Sequence, residues 1–597
     1  MRRRPIRLFG AVLFAVVQVA SHAADPAKVL RVSFPVDVTG FDPQAVSDAY
    51  SSRINRAIFD SLLQYDFLKR PYELAPATAE SLPTITDGGR TIVFQLKKGI
   101  FFAQDPAFKG KPRELVAEDY VYSWKRLLDP NLAAPWSLLL NGKLVGADAV
   151  VAKAKTAGKF DYDARIEGLL APDRYTLQVK LLQPDYILIE DMTTPPMAAV
   201  AREVVEMYGD PKTGRTMDHP VGTGAYMLKD WRRGSKITLA ANPGFRDEFY
   251  PVGKDARESP AVLANADKRL PLIGQVDVSI IEESNPRLLA FKSRQLDYLH
   301  LPLDLTTSVL ENGAPKPEYT KQNITHMRGL EPAYFYTYFN MDDPVVGGYT
   351  PDRIALRRAL AMGYNVPDEI RIIRQGQAIP ANQAMAPGLL GHDPNAPRMN
   401  AYNPAAARAL LDRFGYKDRD GDGYRELPDG RPLVLIKGST TDTEGRLFDE
   451  VWKKSMDAIG IRIEFIKQKW PDLLKMSQAG KLQMWTVGRS SGVRDGGTAL
   501  ENLATKNIAN TMNDSRFSLP DYDRLFEQSR LLPDSPERTA LYRRMSELIS
   551  GYAPLLLGVY RYENLLVYPW VLGFKYNAFM VHPWKFLDID MARRNAG

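Results

Sequence analysis

Gly488-Arg489-Ser490-Ser491-Gly492 has the spacing G-x-S-x-G, in which a serine on a sharp strand-to-helix turn presents its hydroxyl as an acyl-transfer nucleophile. Residues 482–487 can supply the strand, but Val493-Arg494-Asp495-Gly496-Gly497 reads as loop where the helix must begin. A secreted serine hydrolase using Ser490 is therefore the alternative reading, and a ligand-facing or plain loop the first. The most specific short motif is Asp418-Arg419-Asp420-Gly421-Asp422-Gly423, whose carboxylates at positions 1, 3 and 5 and glycine at 6 match the opening of a calcium loop. Position 12 is Asp429 rather than a bidentate glutamate, and Pro428 stands where an exiting helix should start. Asp418, Asp420 and Asp422 thus read first as a tight Asp/Gly turn into a strand at 433–436, and second as a structural calcium site. No other cofactor is expected. The 6 histidines show no H-E-x-x-H or H-x-H spacing, and 0 cysteines exclude disulfides, zinc-thiolate and iron–sulfur centres and thiol catalysis.

The elements that must position such residues are mixed. Of 597 residues, 45% are hydrophobic and 25% charged, the balance of a chain that buries a large core. Residues 91–96 alternate after an Asp87-Gly88-Gly89 turn, and Leu177, Val179 and Leu181 do likewise, the period of half-buried strands. Asn403-Pro404 pairs an N-cap with proline at the first helical position, Leu410, Leu411 and Phe414 carry the apolar stripe, and Gly415 ends the helix. Ser535-Pro536-Glu537 repeats that grammar ahead of Leu541, Met545, Leu548 and Ile549. No fixed-period repeat occurs, and residues 243–272, rich in Pro, Gly and charge, read as a long surface insertion.

Arg2, Arg3, Arg4 and Arg7 precede an apolar run at 8–20 and the small-x-small sequence Ser21-His22-Ala23, the pattern of a cleaved export signal at 1–23. The run is too short to span a membrane, which takes about 18 apolar residues. Removing the signal leaves 74 basic and 71 acidic residues, so the formal +7 falls to +3. Nucleic acid as a partner thereby loses its support. A periplasmic monomer with no membrane anchor is expected, since no cysteine is present for lipid attachment.

Gly40-Phe41-Asp42-Pro43, Ile58-Phe59-Asp60-Ser61-Leu62-Leu63, Gly99-Ile100-Phe101-Phe102 and the run from Ala117-Glu118-Asp119 to Ser123-Trp124 follow in order. Then come Gly222-Thr223-Gly224-Ala225-Tyr226, Trp231, Asn242, Phe339-Asn340, Arg357-Arg358-Ala359-Leu360, Ala409-Leu410-Leu411 and Gly415-Tyr416. From about residue 30 to 590 the chain resembles the family 5 extracellular solute-binding proteins, the oligopeptide- and dipeptide-type receptors of ABC importers. The resemblance implies an α/β, two-lobed periplasmic-binding-protein fold (type II, large peptide-receptor type) with mixed sheets and an extra subdomain in the first lobe. It implies a first lobe at 24–282 and 558–597 and a second at 283–557. A peptide or small solute would be held between the lobes and delivered to ABC permease subunits, with no reaction catalysed.

It also implies ligand contacts, residue by residue. Ser47 and Asp48 lie in the loop that reaches the cleft in such receptors, Tyr122 stands off the apolar stripe of its helix, Trp470 matches a pocket tryptophan, and Tyr560 sits at the return crossing. Gly222 and Gly224 read as structural turn glycines. One departure stands out. Peptide receptors of the family place a Trp, and three residues on an Asp that pairs with the peptide ammonium, after the strand that is here 482–487. Registering on Gly480-x-Leu482 puts Arg489 and Gly492 at those positions, and registering on Trp485 puts Gly488 at the second. Neither supplies an acid, the nearest being Asp495. With Arg489 and Arg494 the loop is positive, which suits an anionic or neutral group at that position.

Overall fold

The computed structural model describes residues 24–596 apart from 253–257, 399–400, 510–511 and 581–582. Residues 1–23, where the export signal is expected, and His582 lie outside the described residues.

Three sheets organise the chain. In the first, strand Asp25–Phe34 runs parallel to Ile273–Ile280, which continues antiparallel through Lys236–Ala241 to Tyr226–Arg232. A second four-stranded sheet sets Thr91–Gln95 between Thr84–Thr86 and Thr176–Lys180, with Ile92 opposite Val179 and Phe94 opposite Leu177. Those two pairs are the alternating residues of the sequence pattern, and they face a separate core that includes Leu127, Leu140 and Leu188. This is the additional subdomain of the first lobe.

The third sheet has eight strands and includes Ala333–Phe339, Met484–Ser490, Val434–Thr440 and Arg462–Gln468. Its two faces bury different cores, as the two-residue period of a strand requires. Tyr334, Tyr336 and Tyr338 pack with Tyr522 and Met545, while Phe339, Leu435 and Met484 pack with Leu356 and Trp452. The flanking helices begin as their sequences dictate. Asn403 accepts from the Ala406 N–H at 3.0 Å to start Pro404–Arg413, and Ser535 accepts from the Arg538 N–H at 3.2 Å to start Pro536–Tyr552.

The 13-residue strand Leu555–Val567 joins the lobes. Its first half pairs with Ala333–Phe339 and Ala378–Pro380, its second with Thr325–Leu330 and Tyr298–His300. Leu288, Phe291, Leu301, Tyr319 and Ile324, assigned to the second lobe by sequence, pack in the first-lobe core with Leu30 and Leu566. The described residues of 243–272 are likewise not confined to the surface as the sequence reading has them: Phe245, Tyr250, Val262 and Leu270 are buried in that core, at a spacing too irregular to show a periodic pattern in the sequence.

Candidate functional site

A cavity of about 460 Å³ opens where the two lobes meet, within the range of small-molecule sites. One wall belongs to the first lobe: helix Ala49–Ile58, Arg287 on helix Ser284–Lys292, and His300. The opposite wall carries Glu331, Pro332 and the tip of the strand Met484–Ser490 with Ser491 and Gly492. Arg561 and Glu563 of the joining strand form its back, and Tyr50, Tyr576 and Phe579 add aromatic surface.

Helix Ala49–Ile58 is held tightly. Asp48 caps it by accepting from the Ser51 N–H at 2.8 Å, and Ile54 and Ile58 are fully buried beneath it. Its far end abuts Gly222 and Gly224. A Cβ on Gly222 would lie 2.0 Å from the Ile58 carbonyl oxygen, and one on Gly224 would lie 2.6 Å from that of Ala57. These glycines are structural, as the sequence reading has them, and what they permit is close backbone approach. The anchored helix turns Arg53 and Arg56, one helical turn apart, to the cavity.

The charges of the cavity divide into paired and unpaired. Arg561 forks onto Glu331 with bonds of 3.0 and 2.9 Å, and His300 Nδ1 lies 2.7 Å from Glu563. Burial works to raise the Glu563 carboxyl, but His300, Arg53 and Arg561 together hold it below the ordinary carboxylate range. Arg53, Arg56 and Arg287 form no ion pair among the described residues. Arg53 lies over the Tyr50 ring at 4.7 Å, Arg56 donates to the Thr193 carbonyl at 3.0 Å, and Arg287 donates to Ser284 Oγ at 3.3 Å. Burial pulls the Arg56 and Arg287 guanidiniums below their usual values.

None of the sequence-derived contacts lines this cavity. Ser47 is exposed, and Asp48 is occupied in its cap and by the Thr39 hydroxyl at 2.5 Å. Tyr122 is buried because its helix, Ala117–Leu128, lies between two cores; the ring, 5.1 Å from Tyr162, faces the first-lobe core, and burial pushes its hydroxyl up to about 12. Trp470 opens helix Trp470–Gln478, 55% exposed and 6.1 Å from Trp485. Tyr560 is buried, its hydroxyl donating to the Gln383 carbonyl at 2.8 Å.

Arg489 also turns from the cavity, donating to Asp514 at 2.5 Å and to the Met512 carbonyl at 2.9 Å. Asp495 is 1% exposed, paired with Arg538 and accepting from the Tyr542 hydroxyl at 2.9 Å, so it is already committed within the second lobe. Arg494 reaches back to Glu190 at 2.9 Å and to the Tyr72 carbonyl at 2.6 Å, bridging the subdomain and the second lobe. The positive charge expected of this loop is thus neutralised. Gly492, where one register places the family's ammonium-binding acid, does line the cavity.

Ser490 faces the cavity as well, but loop and not helix follows it, with helix Gly497–Glu501 starting only after 491–496. The strand-turn-helix that a nucleophile elbow requires is missing, and the hydrolase reading has no support. In the acidic loop, carboxylate oxygens of Asp418, Asp420, Asp422 and Glu426 lie within 4.8 Å of one another. Asp418 accepts from the Gly421 and Gly423 N–H groups at 2.7 and 3.0 Å, and Asp422 pairs with Arg462. Asp429 pairs with Arg431 instead of completing the set, because the chain has already turned back at Glu426 toward Pro432.

Sequence reasoning missed the arginines of the first lobe. A signal existed for two of them: Arg53 and Arg56 are like charges three apart on a helix whose apolar stripe is Ile54 and Ile58. Nothing local marks Arg287 or Arg561.

Comparison with known proteins agrees with the architecture. The curated Di/tripeptide-binding protein 2 of Pseudomonas aeruginosa (strain UCBPP-PA14) is 26% identical over 93% of this chain and 94% of its own length. The Probable deoxycholate-binding periplasmic protein YgiS of Escherichia coli (strain K12) is 25% identical over 94% of each. Among solved structures, NikA from Brucella suis in complex with Fe(III)-EDTA superposes with a TM-score of 0.72 at 17% identity, covering 94% of this chain and all 100% of that one. The sequence pattern of the family described as "Bacterial extracellular solute-binding proteins, family 5 Middle" matches residues 73–511. Two lobes around a shared cavity and a family match over most of the chain lead to one statement: this chain belongs to the family 5 bacterial extracellular solute-binding proteins.

Proposed function

We propose that this protein is the periplasmic substrate-binding subunit of an ABC importer, exported by a signal at 1–23 that is then cleaved. It captures a peptide or peptide-like solute between closing lobes, passes it to membrane permease subunits, and catalyses no reaction itself. The observation that carries the reading is the cavity of about 460 Å³ with one wall on each lobe. A solute there contacts both walls at once only when the lobes are together, and that differential contact is what shifts an open–closed equilibrium. A dissociation constant of about 1 μM, near −8 kcal/mol, suffices for scavenging. Among the described residues no helix is long and apolar enough to cross a membrane.

The names of similar proteins refer to di- and tripeptides, to deoxycholate and to a metal chelate. The family therefore fixes the manner of capture, and the cavity lining selects the cargo. Mass spectrometry of solutes released from protein extracted from its native periplasm tests the reading. We expect one stoichiometric small solute, whose return to the stripped protein lowers the radius of gyration in X-ray scattering. Absence of any such solute, or ester turnover abolished by Ser490→Ala, would overturn it.

A further inference from the structure

Resting on that solute-binding reading, we propose that the captured solute is anionic, its carboxylate or phosphate oxygens held by Arg53, Arg56 and Arg287 on the first-lobe wall. Four arginines and two glutamates line the cavity, an excess of two positive charges with His300 neutral. The glutamates are engaged within the protein: Glu331 pairs with Arg561, and Glu563 lies against His300. Glu283 and Asp304 influence Arg287 from beyond ion-pair distance, and Arg53 acts in the same way on Glu563. No carboxylate of the cavity is left for Arg53, Arg56 or Arg287.

Side-chain chemistry makes this imbalance informative. A lysine in such surroundings can shed its proton, whereas a guanidinium cannot, so it keeps its charge and needs a counter-ion or solvent. All three arginines are partly buried, and Arg287 Nε is shut off from solvent with no hydrogen-bond partner. Planar guanidinium forks match carboxylate and phosphate geometry. The pair on helix Ala49–Ile58 is pre-positioned by the Asp48 cap and by the close approach of Gly222 and Gly224. Tyr50, Tyr576 and Phe579 leave apolar surface for the rest of the solute. A cationic head group, by contrast, finds glycine at position 492 and glutamates already engaged by Arg561 and His300.

Three probes of one shape separate the possibilities: N-acetyl-Ala-Glu-Glu, its neutral isostere N-acetyl-Ala-Gln-Gln-amide, and cationic Ala-Gln-Gln-amide. Each is titrated calorimetrically into the stripped mature chain, with inorganic phosphate as a fourth arm. We expect the acidic probe to bind about tenfold or more tighter than the neutral one. Arg53→Gln/Arg287→Gln should remove that advantage, bringing the acidic probe's affinity down to the neutral one's, and keep the melting temperature, which shows the variant folded. Competition by phosphate assigns the site to phosphate oxygens, and its absence, with acidic-probe binding, to carboxylate. Equal or tighter binding of the neutral or cationic probe, an acidic-probe affinity indifferent to the double variant, or silence toward both the acidic probe and phosphate would overturn the proposal. None of these touches the receptor reading, which stands or falls on the co-extracted solute.

Discussion

Two groups of arginines flank the interlobe cavity, and they differ in what they touch. On the second lobe Arg489, Arg494 and Arg538 each meet a carboxylate, of Asp514, Glu190 and Asp495 respectively. On the first lobe Arg53, Arg56 and Arg287 meet none and face the cavity. The first group holds the protein's own loops together, and the second is free to hold something else. A charge-rich loop is therefore weak evidence of recognition until its partners are known. Lys437 supplies a third case. It is 2% exposed, donates to the Gly438 carbonyl at 3.2 Å and makes no ion pair among the described residues, but it lies under Phe448 and Trp452, away from the cavity. Burial lowers its ammonium to about 7, so it can answer burial by giving up its proton, as a guanidinium cannot, at the cost of that shift.

The contrast can be broken most forcefully at the paired set. Asp495→Ala leaves Arg538 buried without its carboxylate and should destabilise the protein by about 3–5 kcal/mol in urea unfolding; a loss below about 1 kcal/mol would deny the pair its structural role. Lys437→Met should stabilise at pH 7 by about 2–5 kcal/mol. The sign follows from proton counting: with a folded value near 7 and an unfolded value near 10.5, the unfolded chain binds more protons between those limits. Wild-type stability from this group rises with pH across that window, and below about 7 the penalty is constant. The variant's advantage should therefore shrink between pH 7 and 10, and a pH-independent difference would contradict the assignment. Arg53→Gln/Arg287→Gln, by comparison, should change stability by no more than about 0.5 kcal/mol, since no ion pair is lost. Smallest of all, millimolar calcium should leave the melting temperature unchanged if the Asp418 loop is a self-capped turn; a rise of several degrees would make it a metal site.

What the sequence made legible was local. The caps at Asn403 and Ser535 and the alternation of 91–96 became elements because their signals sit within a few residues of the structure they direct. The order of family motifs carried the two-lobed architecture. The cavity was not readable in this way, since Arg53, Arg287 and Arg561 come together from separate stretches of chain. Pairing was equally hidden. Asp495 stood in sequence as a possible partner for a ligand, yet Arg538, on a different helix, had already claimed it. Tyr122 was read as free of its helix's apolar stripe, correctly, but a second core lies on that side.

The central claim is that the first-lobe wall recognises the solute's negative charge. A crystal structure with N-acetyl-Ala-Glu-Glu bound tests it most directly, through the distances from the probe's carboxylate oxygens to the arginines. The account predicts contacts of about 2.7–2.9 Å to at least two of Arg53, Arg56 and Arg287, with Arg489 still on Asp514. Carboxylates seated on Arg489 or facing solvent, with the three first-lobe arginines untouched, would contradict it.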